Sequence, residues 1–266
     1  MDVEERVSRL EVELEKLRSR VRGVEDLKVA SEVFDKATLL TLYELANRGY
    51  IDVMQGVIKT GKESNVFFAR DPEGNPLAVK IHRVATSDFR AMTRYIEGDP
   101  RFPKMRRTRR GIVYTWVRKE FKNLERAHLA GVRVPRPVAF RNNVLVMEFI
   151  GEDERAAPML RQVELANAEE FFNELLSNLR RLYCVANLVH ADLSEYNILV
   201  RDAKPVIIDL SSGVLRTHPL AQEFFARDVA NLVRYFRRYF SVEYNEVYSY
   251  ITSCGGRHGV PEDSQR

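Results

Sequence analysis

The chain has 266 residues, 45% of them hydrophobic and 30% charged, with a formal net charge of +4. That length carries about two domains, or one two-lobed domain with a sizeable core, and the composition excludes a low-complexity or disordered chain. No run approaches the roughly 18 apolar residues of a membrane span. The only two cysteines, Cys184 and Cys254, make neither a disulfide framework nor a zinc site, so the expectation is a cytoplasmic protein with two reduced thiols.

Residues 1–30 place Val3, Val7, Leu10, Leu14, Leu17, Val21 and Val24 at alternating spacings of four and three. This is a heptad seam, read equally as a short coiled coil or as an amphipathic helix folded onto its own domain. Its acidic start does not suit a secretory signal. A second helix is expected over 38–48, stopped by Gly49. Two β-rich runs then flank the turn Lys59-Thr60-Gly61-Lys62-Glu63-Ser64, followed by Asn65 and Val66. Gly56, Gly61 and Lys62 fit a Walker phosphate loop, but Glu63 stands where that loop needs a hydroxyl for the metal, and Val66-Phe67-Phe68 continues as a strand rather than a helix. A kinase-type glycine loop, with Gly61 as its central glycine, or a plain hairpin turn remain.

The next strand, Leu77-Ala78-Val79-Lys80-Ile81, puts one lysine among apolar residues. Such a lysine is costly unless it is paired, binds an anion or snorkels to water. Residues 82–112 read as a polar, mostly basic insertion, best described as a solvated loop, with Arg101, Lys104, Arg106, Arg107, Arg109 and Arg110 crowding its second half. Ser87 and Thr108 are hydroxyls in it that could accept phosphate, and its charge suits RNA backbone contact. A helix over 113–130 follows, ended by Gly131, with Glu120 expected on its inward face as the partner of Lys80 and Glu125 as the alternative. The strand 144–150 leads to Gly151, and 151–162 looks like linker before an amphipathic helix over 167–186.

The most informative stretch is Leu188-Val189-His190-Ala191-Asp192-Leu193-Ser194-Glu195-Tyr196-Asn197, closed by Val206-Ile207-Ile208-Asp209. It reads as strand, turn, strand. Asp192 can take or orient the proton of an attacking hydroxyl, while Asn197 and Asp209 offer the oxygen donors that Mg²⁺ prefers. The order His-x-Asp-Leu-x-x-x-Asn, then Asp after an apolar strand, matches the catalytic loop and metal-binding Asp of protein kinases; the plain alternative is an acidic surface hairpin. A helix from about 220 to 239 follows, on which Asp228 is placed to brace the catalytic loop. The end from Gly255 is expected to be disordered.

Taken together, these residues resemble the RIO family of atypical serine/threonine protein kinases. The resemblance runs from about Asp35 to Tyr239 and is most specific at 59–66, at Met147-Glu148-Phe149-Ile150-Gly151-Glu152 and at 188–197. The short stretch before residue 50, with little room for a winged helix, and the wording of these motifs look like the type-one branch in its compact archaeal form. The resemblance implies an α+β, two-lobed protein-kinase-like fold. Its parts would be an N-terminal helical extension (1–48), an N-lobe (49–150), a C-lobe (151–254) and a tail (255–266). It implies ATP and Mg²⁺, with Mn²⁺ as the alternative ion. Lys59, Thr60, Gly61, Lys62, Glu63, Ser64 and Val66 would lie around the phosphates. Lys80, held by Glu120, would grip them, Met147, Glu148 and Ile150 would form the adenine hinge, Asn197 and Asp209 would hold the metal, and Asp192 and Asp209 would be catalytic. It further implies a role in maturing the small ribosomal subunit, autophosphorylation at Thr108 or Ser87, and a phosphoaspartate at the position of Asp209.

The departures from ordinary kinases narrow the function. Ala191 replaces the arginine that reads an activation-loop phosphate, Ser194 replaces the catalytic-loop lysine, and Asp209-Leu210-Ser211 replaces Asp-Phe-Gly. Asp228 follows Asp209 by only 19 positions, too few for an activation loop plus peptide-docking helices. Two rivals to a protein kinase follow. One is an ATPase that switches an assembly factor on a pre-ribosomal particle. The other is a small-molecule phosphotransferase, for which the region after Asp209 is short and basic.

Overall fold

The computed structural model describes residues 34–255 except 86 and 104. The heptad seam of 1–30, Lys104 and the tail beyond Gly255 lie outside the described residues. A five-stranded sheet, β1 (Val53–Thr60), β2 (Ser64–Arg70), β3 (Pro76–His82), β4 (Pro137–Arg141) and β5 (Val144–Glu148), has the order β1-β2-β3-β5-β4. Every neighbouring pair is antiparallel.

The period-two alternation of these strands sorts their side chains. Phe67, Ala69, Val79, Ile81, Val144 and Val146 form one face and pack against Leu42 and Leu45 of helix α1 (Lys36–Asn47). Each large apolar side chain so buried contributes about 1.5–3 kcal/mol. Helix α1 begins at an Asp35 cap and ends before Gly49, whose φ of +75° is the left-handed turn that glycine takes readily. It is tied to the sheet by Asn143 Nδ2, which donates to Thr38 Oγ1 (2.9 Å) and to the His82 carbonyl (3.0 Å). Residues 36–47 therefore pack onto the Phe67 face of the sheet. The opposite face carries Phe68, Ala78 and, by alternation, Val66, Lys80 and Met147.

The insertion 82–112 is more ordered than its charge suggests. Helix α2 (Phe89–Ile96), capped by Asp88, buries Met92 and Ile96 with Phe102 against Ile112, Val113 and Trp116 of helix α3 (Arg109–Leu129). This small apolar cluster replaces the expected solvated loop. Thr108 caps α3 by accepting from the Gly111 amide, so that helix starts earlier than the apolar spacing alone indicates.

The C-terminal lobe is a helical core of α4 (Ala168–Cys184), α5 (Ala221–Phe236) and α6 (Tyr244–Thr252). Among them lie short ribbons: β6 (Gly151–Glu152) with β7 (Arg155–Ala156), β9 (Ile198–Arg201) with β10 (Lys204–Ile207), and β8 (Leu188–Val189) with β11 (Val214–Leu215). The stretch 151–162 thus holds a small hairpin and a short 3-10 turn (Leu160–Gln162) rather than a bare linker. The strand before the catalytic loop pairs with the segment after Asp209, not with the strand that follows the loop. The expectation of two reduced thiols is also corrected. Cys184, at the end of α4, and Cys254, just after α6, form a disulfide across 70 positions of sequence.

Candidate active site

The apolar alternation of β3 aims Lys80 away from the α1 side and into the cleft between the lobes, opposite Val66 on β2 and Leu145 on β5. Helix α3 crosses below that face and presents Glu120, which is buried. Lys80 Nζ lies 2.7 Å from Glu120 Oε1 and 2.9 Å from Asp209 Oδ1. Three residues from three distant segments therefore share one cluster. Glu125 points outward to Lys122 (2.7 Å) on a half-exposed surface.

Burial opposes the charge on Lys80, but Asp209 and Glu120 outweigh it and hold the ammonium above the ordinary lysine range. Burial likewise works against the Asp209 carboxylate, and Lys80 with the Ser211 hydroxyl outweighs it, holding Asp209 well below the usual carboxylate range. Ser211 Oγ donates to Asp209 Oδ1 at 2.7 Å. His82, two residues beyond Lys80 and so on the same strand face, sets Nε2 at 3.2 Å from Glu120 Oε2. The glutamate is thereby fixed at both oxygens.

The loop 190–197 is held from α5. Asp228 is buried and accepts from the amides of Ala191 (2.7 Å) and Leu193 (2.9 Å), while Asn231 Nδ2 donates to the Leu193 carbonyl (3.0 Å). Burial pushes the Asp228 carboxyl up to about 6 against the pull of His190, the two amides and Arg227. Ala191 has φ +67° and Asp209 φ +60°, left-handed conformations that cost a non-glycine residue free energy and persist where surroundings impose them. His190 Nε2 donates to the Ile208 carbonyl (3.0 Å), joining the loop to the chain just before Asp209. Asn197 turns its amide nitrogen to Asp192, 2.8 Å from the carbonyl and 3.2 Å from Oδ2. Its Oδ1 is therefore directed elsewhere, as a hard cation requires. Burial, followed by Asp209 among the charges that disfavour ionisation, raises the Asp192 carboxyl above its ordinary range, against His190, Arg227 and the Asn197 bond.

The phosphate-loop residues stand at the exposed β1–β2 turn. Gly61 donates its amide to Asn65 Oδ1 (3.2 Å), and a Cβ at Gly61 would lie 2.8 Å from the Ser64 carbonyl oxygen, so the turn needs glycine there. Residues 59–63 are exposed, Ser64 and Val66 half-buried, and β2 continues directly from the turn. Met147 and Glu148 end β5, with the Ile150 carbonyl taken by the Ala157 amide (2.9 Å). Of the two hydroxyls in the insertion, Thr108 is exposed, whereas Ser87 is buried and donates to the Arg83 carbonyl. Among the described residues, no cluster of His, Cys, Asp and Glu makes a metal site by itself. The oxygens of Asn197 and Asp209 instead suit an ion that keeps waters and takes further ligands from phosphates.

The roles of His82, Ser211 and Arg227 are not legible in the sequence in the same way. His82 lies two positions from Lys80 on one strand, and that spacing is a signal of a shared face, whereas Ser211 follows Asp209 through a turn that spacing does not predict. Arg227, whose guanidinium donates to the Ala191 carbonyl, gives no signal beyond its place beside Asp228.

A family model described as the RIO domain matches residues 65–248. The RIO-type serine/threonine-protein kinase Rio1 of Haloferax volcanii is 43% identical over 93% of this chain and 85% of its own length. Human serine/threonine-protein kinase RIO1 is 38% identical over 83% of this chain and 39% of its own. A crystal structure of the Rio2 kinase–ADP/Mg²⁺–phosphoaspartate complex from Chaetomium thermophilum superposes with a TM-score of 0.64 at 27% identity, covering 82% of this chain and 67% of that one.

Proposed function

The chain belongs to the RIO family and is a serine/threonine protein kinase of that type, and on that premise we propose that it transfers the γ-phosphoryl group of ATP with Mg²⁺ at the cleft lined by Lys80, Asp192, Asn197 and Asp209. The carrying observation is the single ammonium of Lys80 bridging Glu120 and Asp209. Lys80 grips the α- and β-phosphates, with Glu120, clamped by His82, fixing its position. The turn 59–64 covers the phosphates. The Glu148 carbonyl and Ile150 amide read the adenine edge beside Met147. Asn197 Oδ1 and Asp209 hold the ion, which neutralises charge on the phosphates when bound. The acceptor oxygen bonds to the γ-phosphorus as the bond to the β–γ bridging oxygen breaks; a hydroxyl acceptor passes its proton to Asp192, whereas a carboxylate acceptor has none to give. The raised affinity of Asp192 for a proton suits it to that step.

Two acceptors are consistent with the site. One is a protein hydroxyl, including exposed Thr108 of the chain itself. The other is Asp209, the counterpart suggested by the phosphoaspartate named for the Rio2 complex. The second makes the protein an ATPase switch, with water releasing phosphate from the acyl phosphate. That reading is favoured by the C-lobe: Asp228 follows Asp209 by only 19 positions, too few for an activation loop plus peptide-docking helices, and helix α2 meets the start of α5 through Arg94–Glu223 (2.8 Å) and Tyr95 stacked on Phe224 (4.9 Å). The basic second half of the insertion suits contact with RNA in a small-subunit precursor. The test is incubation with γ-labelled ATP, with and without small-subunit particles, following label into protein and free phosphate. Hydroxylamine-labile label marks the aspartyl route and stable label the hydroxyl route. No label in protein or phosphate would overturn both.

A further inference from the structure

The loop that carries Asp209 is anchored by groups outside the nucleotide machinery. Its carbonyls point at α3, where Lys119 and Asn123 sit one helical turn apart and both are fully buried. Lys119 Nζ donates to the carbonyls of Ser211 (2.9 Å) and Gly213, over the ring of Trp116 at 5.2 Å. Asn123 Nδ2 donates to the carbonyls of Leu210 (2.8 Å) and Gly213 (2.7 Å). The loop closes on itself through the Gly213 amide and the Leu210 carbonyl (3.1 Å). Gly213 lies so close that a Cβ there would stand 3.0 Å from Asn123 Nδ2.

Asn123 has its orientation set from the insertion. Arg101 Nη1 donates to Asn123 Oδ1 (2.9 Å), which turns the asparagine's NH₂ toward the loop. Arg101 is in turn held by the buried carboxylate of Asp99, with Nη2–Oδ2 at 2.7 Å and Nε–Oδ1 at 2.9 Å. The Lys119 ammonium is donated to peptide carbonyls, with Asp99 and Glu120 acting on it only through charge. Burial and the nearby Arg101 push it down to about 7. A buried cation held in this way is a poor device for stability alone.

We propose that Lys119 and Asn123 are positioning residues for Asp209, and that Arg101 makes the insertion part of the metal site by setting the asparagine. Order in the insertion and geometry at Asp209 are then one property. Loss of the Asp99–Arg101 pair frees the Asn123 amide to rotate, the Leu210 and Gly213 carbonyls lose a donor, and Asp209 wanders from the ion. The inference rests on the reading of Asp209 as a metal ligand.

The test compares wild type with Lys119→Met, Asn123→Leu and Arg101→Lys, using the whole chain. One readout is the Mg²⁺ concentration that half-saturates the gain in ADP affinity. The other, free of metal and nucleotide, is hydrogen exchange of the amides at 210–214. Lys119→Met and Asn123→Leu are expected to raise the Mg²⁺ requirement about tenfold, as loss of outer partners of metal ligands does. ADP binding without Mg²⁺ should stay within about twofold of wild type, and exchange at 210–214 should quicken. Arg101→Met leaves the buried Asp99 carboxylate without its cation, so Arg101→Lys, which keeps the charge and loses the fork that reaches both Asp99 and Asn123 Oδ1, is the variant tolerable for folding; it should show the same two changes at about threefold. Unchanged Mg²⁺ requirement and unchanged exchange in Arg101→Lys would overturn the coupling, even if the other variants fail to fold. Failure of wild-type protein to bind ADP at all, or to bind it better with Mg²⁺, would instead remove the underlying reading of the site.

Discussion

The two halves of the cleft are built by different physics. On the phosphate side, Lys80, Glu120, His82 and Asp209 come from β3, α3 and the segment after β10; ionic pairing of Lys80 with Glu120 and Asp209, and the His82 contact to Glu120, hold the arrangement. On the catalytic-loop side, Asp192 and Asn197 belong to one short loop whose shape is imposed by backbone amides donated to Asp228 and by side chains of α5. Charged groups left unpaired in the first half lose their partners at once, because a buried ion without its counterion is strongly disfavoured. Damage in the second half shifts a loop by small amounts. Chemistry that needs near-contact geometry feels such shifts steeply.

The largest expected effect is on the chemical step. Asp192→Ala should lower turnover about 10²–10⁴-fold, the usual span for a general base, with nucleotide affinity in calorimetry nearly intact. Equal turnover would remove Asp192 from the reaction. Next, Lys80→Met should weaken nucleotide binding about 10–100-fold, the equivalent of one or two hydrogen bonds between charged groups, and wild-type affinity would break the contrast drawn above. Asp228→Ala, by leaving two amides without an acceptor, should cost about 1–3 kcal/mol of stability in urea unfolding and lower turnover without changing nucleotide affinity.

Acid sharpens the comparison further. The Asp209 carboxyl is held below its ordinary range, so its stabilisation is present above the unfolded carboxylate pKa and is lost as pH falls from there. Asp228 is raised to about 6, so it costs stability above pH 6 and that cost disappears as pH falls from 6 toward the unfolded value. Urea midpoints measured through this window should show Asp209→Asn flattening the acid loss below about pH 4, and Asp228→Asn flattening the change nearer pH 6. The smallest effect belongs to the alternative glutamate. Glu125→Gln should change stability by less than about 0.5 kcal/mol, because its pair with Lys122 is open to solvent, whereas Glu120→Gln should weaken nucleotide binding.

How much of this was readable from sequence follows from where the signals lie. Lys80 announces itself as one charge in an apolar strand, and Glu120 by its inward spacing on α3, since period and burial are local properties. The order His-x-Asp-Leu-x-x-x-Asn marks the loop 190–197 because it too is contained in one short stretch. The insertion departs from the solvated-loop expectation because its arginines mask the apolar spacing of Met92, Ile96 and Phe102, whose cluster forms only with Trp116 of α3 beside them. The pairing of β8 with β11 and the Cys184–Cys254 bond are long-range facts that spacing does not encode. The tie from Lys119 and Asn123 to the loop after Asp209 is of that kind as well, since neither residue stands out on its own helix.

The proposed activity requires these side chains to converge on one nucleotide and its ion. The direct measurement is a crystal structure of the protein with a non-hydrolysable ATP analogue and Mg²⁺. The α- and β-phosphates are expected against Lys80 Nζ, beneath the turn 59–64, with the ion held by Asn197 Oδ1 and Asp209 and the γ-phosphate facing Asp192. A nucleotide seated elsewhere, or in the cleft with its ion on neither Asn197 nor Asp209, would contradict the proposal.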